Sequence, residues 1–156
     1  MSIEALVSRL VAHPESLPLV AEWFRTEWPG WYGAGGAGDV EKDLQSFSNE
    51  GNLPVGIIAF SNGAPCGAAA LKAESIPSHP HLRPWAAAGF VLPELRGRGI
   101  GAKLLSALEA EARALGYSSI YCGTATANSL LQRAEWQVID RVQLHGKEVS
   151  VYKRAL

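Results

Sequence analysis

Cysteine is scarce in this chain. The 156 residues hold two, Cys66 and Cys122, neither in a C-x-x-C pair nor near a histidine at ligand spacing. That excludes a disulfide framework and a cysteine-based metal site, and the two thiols read as free and buried in a reducing compartment. Long hydrophobic runs are missing as well, so no stretch is apolar for long enough to span a bilayer. Charge of one sign never accumulates. Fourteen Lys and Arg stand against fifteen Asp and Glu, a formal net charge of −1, and the basic face that a nucleic-acid partner would require is not there. Repeats and low-complexity linkers are absent, and Met1-Ser2-Ile3-Glu4 has neither the basic start nor the apolar core of a secretory leader. The expectation is one cytoplasmic domain over residues 1–156, with no metal, membrane or nucleic acid. Nothing in the chain distinguishes a monomer from a homodimer.

Glycine is plentiful, and its placement is informative. Residues 86–92 form an apolar run ended by Pro93, which has no amide hydrogen. Gly97, Gly99 and Gly101 follow at alternate positions, and residues 100–115 then carry apolar side chains at helical spacing. This predicts a strand, a glycine-rich turn and a helix. Glycine lets the backbone bend and lets a ligand approach unobstructed. The first amides of a helix have no partner within it and lie at the positive end of its dipole, where phosphate binds. Arg96, Arg98 and Lys103 add positive charge.

Three phosphate-binding patterns compete for this turn. The P-loop fails, because Ala102 precedes Lys103 and Leu104 follows it. The dinucleotide fingerprint fits Gly97, Gly99 and Ala102 but requires an acid on the next strand, which reads Ser119-Ile120-Tyr121-Cys122-Gly123. The pattern R-x-x-G-x-G is met by Arg96, Gly99 and Gly101, directly after the apolar strand. In that setting the segment from Phe90 to Gly101 resembles the acetyl-CoA-binding motif of the GNAT N-acetyltransferases.

The remaining chain is read by periodicity. A first strand is expected within residues 3–11. Leu19, Val20, Trp23 and Phe24 predict a helix that starts beyond Pro14 and Pro18 and ends near Trp28-Pro29. Residues 30–38 form a glycine-rich loop, and Asp39 caps a helix bearing Val40, Leu44 and Phe47. Strands are expected at 55–60 and 66–73 around an Asn62-Gly63 turn. Further strands are expected at 118–122, 136–142 and 148–152, with a short helix at 124–133. The order matches the fold that the resemblance implies: an α/β (α+β) GNAT-type mixed sheet, mostly antiparallel, of about seven strands with helices on both faces.

The resemblance also implies an activity, transfer of the acetyl group of acetyl-CoA to a primary amine of a small molecule or peptide. It implies that amides of Gly97, Arg98, Gly99, Ile100, Gly101 and Ala102, beside Arg96, hold the diphosphate. Backbone groups of Gly89, Phe90 and Val91 would pair with the pantetheine arm, and Asn128 would contact it. The tyrosine that protonates the leaving thiolate in many members aligns with Leu131, which has no proton to give. For deprotonation of the amine, Glu74 and His81 are the candidates, acting through water. Trp31, Tyr32 and Trp85 would floor an acceptor cleft suited to an aromatic amine or a cation. Two other readings stay open: an acyl-CoA-binding module without turnover, and a dinucleotide-binding oxidoreductase.

Overall fold

A computed structural model describes residues 3–49 and 51–156, so the leader reading at Met1-Ser2 falls partly outside it. Among these residues the chain runs β1 (Leu6–Arg9), α1 (Leu17–Glu27), α2 (Pro29–Tyr32), α3 (Val40–Phe47), β2 (Val55–Ser61), β3 (Ala64–Lys72), β4 (Trp85–Val91), α4 (Ile100–Ala114), β5 (Ser119–Thr124), α5 (Asn128–Arg133), β6 (Gln137–Leu144) and β7 (Lys147–Ala155). Local chemistry accounts for most of these limits. Asp39 caps α3 by accepting the Lys42 amide at 3.1 Å. Asn62 and Gly63 take the two positive φ angles of a two-residue hairpin turn, 51° and 77°. Gly116 ends the α4 segment at φ 90°.

Two local expectations are corrected. Pro18 does not precede α1 but lies in its first turn, where a missing amide hydrogen costs no helical bond. The segment after Trp28 is not loop throughout, since α2 forms a turn of helix before the glycines.

The strands form one sheet in the order β1-β2-β3-β4-β5-β7-β6. Every pairing is antiparallel except β4 with β5, which meet at a single register pair, Trp85 with Tyr121. A bulge in β4 contributes to this. Ala87 pairs with Ala70 and Phe90 with Ala68, so Ala88 and Gly89 together oppose Ala69, and Ala88 takes a φ of 54°. Such a bulge bends its strand and strengthens the local twist. Past Trp85, β4 and β5 no longer pair.

Helices cover both faces. On one, α4 buries Ile100, Leu104, Leu108 and Ala112 against Ile57, Leu71, Ile120 and Tyr152. The fit is close enough that a Cβ on Gly67 would lie 2.8 Å from the Phe90 carbonyl oxygen and 3.2 Å from Leu104. On the other face, Val20 and Phe24 of α1 and Leu44 and Phe47 of α3 pack on Ile58, Ala68 and Phe90. A third cluster, Ile76, Trp85, Tyr121, Val149 and Val151, lies under the connection between β3 and β4. No helix among the described residues is long and apolar enough to cross a membrane.

Candidate active site

The glycine turn has the geometry its sequence demands. Gly97 and Gly99 sit at φ 78° and 90°, and Gly99 is the N-cap of α4 with no side chain capping it. Among the described residues, no backbone carbonyl receives the amides of residues 97–102; the first amide engaged is that of Lys103, to Gly99 O at 3.2 Å. Six consecutive donors at the positive end of a fifteen-residue helix therefore await an acceptor. Around Gly97 a Cβ would meet nothing within 4 Å, so the space in front of the turn is open.

Beside this turn a cleft of about 600 Å³ runs between the splayed strands; it reaches the turn at Arg96 and Gly101, while Gly97, Arg98, Gly99, Ile100 and Ala102 lie outside its lining. Residues 86–91 of β4 form one wall, residues 122–127 the other, and Gly101, Leu104, Leu105, Leu108, Leu130 and Leu131 lie on the α4 and α5 side. Gly89, Phe90 and Val91 line the cleft, on a strand whose edge is unpaired there. The opposing wall is closed by a turn in which Thr124 Oγ1 accepts the amides of Thr126 and Ala127, at 3.1 and 2.8 Å.

Other candidates lie elsewhere. Trp85 is fully buried and donates its indole N–H to Leu82 O at 2.7 Å, so it cannot floor a cleft. Trp31 is half exposed and outside the cleft lining. Tyr32 is also outside it, donating its hydroxyl to Asp43 Oδ2 at 2.7 Å; burial, then Asp43, pushes its pKa upward. The cleft's aromatic residues are instead Phe90 and Trp28, with the Trp28 ring 5.0 Å from that of Phe24. Glu74 and His81 are exposed and do not line it either. Glu74 borders a separate depression with Pro54, Ile76 and Pro80. His81 is stacked near His79, whose Nε2 lies 2.8 Å from Asp140 Oδ2 and whose Nδ1 lies 2.8 Å from Ser78 Oγ. That arrangement ties the β3–β4 connection to β6. The Arg141 amide, then His79, lowers the Asp140 pKa. Asn128 sits outside the lining, its side-chain oxygen accepting the Tyr152 hydroxyl at 2.7 Å. Leu131 does line the cleft, and it is almost wholly buried.

The lining holds three ionisable side chains: Glu27, Arg96 and Cys122. Sequence reasoning missed Glu27 and Cys122 as cleft residues, because nothing local distinguishes a helix-end glutamate or a strand cysteine. Burial pushes the Cys122 thiol up to about 12. At pH 8 its thiolate fraction is therefore well below that of a free thiol. The native protein is expected to resist Ellman's reagent at pH 8 at this site and to react promptly in urea; fast labelling of Cys122 in the folded state would contradict the burial. Because the folded pKa is raised, the stability gained by burying the neutral thiol is complete below about pH 8.5 and declines as pH climbs toward 12. Among the described residues no three His, Cys, Asp or Glu side chains are grouped to hold an ion.

Comparison with known proteins follows the same outline. Over residues 17–134 the chain matches the Acetyltransferase (GNAT) family. An aminoglycoside 6'-N-acetyltransferase complexed with coenzyme A superposes with a TM-score of 0.78 at 13% identity, over 96% of each chain. The yncA protein of Salmonella typhimurium, solved with its cofactor acetyl-CoA, gives 0.76 at 18%, over 98% of this chain and 94% of that one. A ribosomal-protein-alanine N-acetyltransferase from Brucella melitensis gives 0.75 at 18%, over 97% and 99%. At these identities the likeness is one of fold. No curated protein matches in sequence. The matched span takes in α1, both splayed strands and the glycine turn between them, and on that ground the chain belongs to the Acetyltransferase (GNAT) family.

Proposed function

We propose that the protein transfers the acetyl group of acetyl-CoA to a primary amine of a small molecule or peptide, in the cytoplasm. The observation that carries this is a run of six amides, residues 97–102, with no backbone acceptor, beside a cleft that Gly101 lines and whose β4 wall is an unpaired strand edge. The amides suit a diphosphate, the strand edge suits the amide-bearing pantetheine arm, and the coenzyme-bound relatives share the fold. When bound, acetyl-CoA supplies an activated thioester with a tolerable thiolate leaving group, pKa about 8.5.

The chain's own residues then bind, orient and exclude water. Gly97, Arg98, Gly99, Ile100, Gly101 and Ala102 hold the diphosphate. Backbone groups of Gly89, Phe90 and Val91 align the arm, and a backbone amide among them would steady charge on the thioester oxygen, an effect worth about 3 kcal/mol per donor. Alanines and leucines make most of the lining apolar. Cys122, held as the neutral thiol, does not compete as a nucleophile. Glu74 and His81, both exposed beyond the cleft, could act on the amine only through intervening water.

A second reading, an acyl-CoA-binding module without turnover, is favoured by one observation: the cleft lining has no tyrosine or histidine, and Leu131, which lines it, aligns with the tyrosine of the family resemblance. The oxidoreductase reading loses its basis, since a doubly wound parallel sheet is replaced by one with a single parallel pairing. Calorimetric titration with acetyl-CoA and NADH, followed by thiol release over a panel of amines, separates all three. Saturable acetyl-CoA binding with amine-dependent thiol release is expected. Binding without release would establish the module, and absence of binding would defeat both coenzyme readings.

A further inference from the structure

Glu27 is the last residue of α1, and Arg96 opens the glycine turn. They meet across the mouth of the cleft, Arg96 Nη2 donating to the Glu27 carboxylate oxygens at 3.1 and 3.3 Å. Among the described residues they are the only carboxylate and the only guanidinium in the lining, which is otherwise mostly Ala, Gly and Leu, with Trp28 next to Glu27.

The two partners are held unequally. Arg96 has two other anchors: its Nε donates to Val91 O at 2.8 Å, and its guanidinium lies 5.5 Å from the Phe90 ring centroid. Glu27 has no other partner among the described residues. If the pair opens, Arg96 keeps its place beside the turn and Glu27 is released. Two ligands of opposite charge call on these two groups. A coenzyme diphosphate at residues 97–102 draws on the adjacent cation. An acceptor amine arrives as an ammonium at neutral pH and needs an anion in an apolar cleft.

We propose that the Glu27–Arg96 pair is a latch opened by coenzyme binding: the diphosphate recruits Arg96, and the freed Glu27 receives the ammonium of the acceptor beside Trp28. This rests on the coenzyme reading and narrows the acceptor class to primary amines carried on an apolar or aromatic body. It also sets an order. Before the coenzyme binds, the charge of Glu27 is neutralised and the amine finds no anion. Afterwards it does, and by linkage each ligand strengthens the other by the same factor. Both side chains are partly exposed, 34% for Glu27 and 46% for Arg96, so the factor is modest, about two- to fivefold.

The test titrates coenzyme A into the wild type, Glu27→Gln, Arg96→Gln and the double variant. Benzylamine is then titrated into the wild type and Glu27→Gln, with and without saturating coenzyme A. Glu27→Gln is expected to bind coenzyme A about two- to fivefold tighter, with the gain lost in the Arg96→Gln background. Benzylamine is expected to bind the wild type more tightly when coenzyme A is present, and Glu27→Gln equally with and without it. Unchanged or weaker coenzyme binding by Glu27→Gln overturns the latch, as does benzylamine binding that ignores Glu27 or is absent. Failure of the wild type to bind coenzyme A removes the coenzyme reading and the latch together, whereas normal binding with no effect of Glu27→Gln removes the latch alone.

Discussion

Gly97→Val is expected to weaken coenzyme A binding by about 100-fold while the protein stays folded. Gly97 sits at φ 78°, a region costly to L-residues and especially to β-branched ones. Valine there has two courses. If the backbone holds, the side chain projects into the open space before the turn, where the ligand must come. If the backbone relaxes to negative φ, the following amides lose their common aim. Charge-assisted hydrogen bonds contribute about 1.5–3 kcal/mol each, so losing two costs at least about 3 kcal/mol, or two decades of affinity. The fold should survive, because Gly97 is exposed and a Cβ there meets no protein atom within 4 Å. Calorimetry with coenzyme A and a melting curve check both halves. Affinity within fivefold of the wild type, in a folded variant, would mean that the turn is not the diphosphate site.

Trp85→Ala is expected to act on stability and not on recognition of the amine. The side chain is wholly buried, packs with Ile76, Tyr121 and Val151, and donates to Leu82 O at 2.7 Å. It also stands at the single register pair joining β4 to β5. Truncating a buried tryptophan costs about 3–5 kcal/mol, to which the lost hydrogen bond adds about 1. For a chain of this length that lowers the melting temperature by about 10 °C or more. Urea unfolding and thermal melts measure the loss. A variant as stable as the wild type, with only its KM for the amine raised, would return Trp85 to the acceptor site.

The contrast between these two residues shows what could be read in the chain. Gly97 was legible because a turn is local. Its conformation depends on residues a few positions away, and only glycine accepts the positive φ without strain. The same holds for the Asp39 cap, the Asn62-Gly63 hairpin and the apolar spacing of α4 from Ile100 to Ala112. Trp85 was legible as a strand residue but not as a core residue. Alternate strand positions face opposite sides, and no local rule says which side a connection will cover.

From its residues alone, then, the chain determined a strand, a left-handed glycine pair and a helix whose leading amides face outward, along with the order and kind of most other elements. Tertiary structure decided where the cleft opens and what lines it. The opening follows from a bulge at Ala88–Gly89 and from one register pair between β4 and β5, both properties of how strands meet. Its charged pair joins residues 69 positions apart, one ending α1 and one following β4. Backbone conformation answers to neighbours in sequence, whereas a cleft is made by surfaces that only folding brings together.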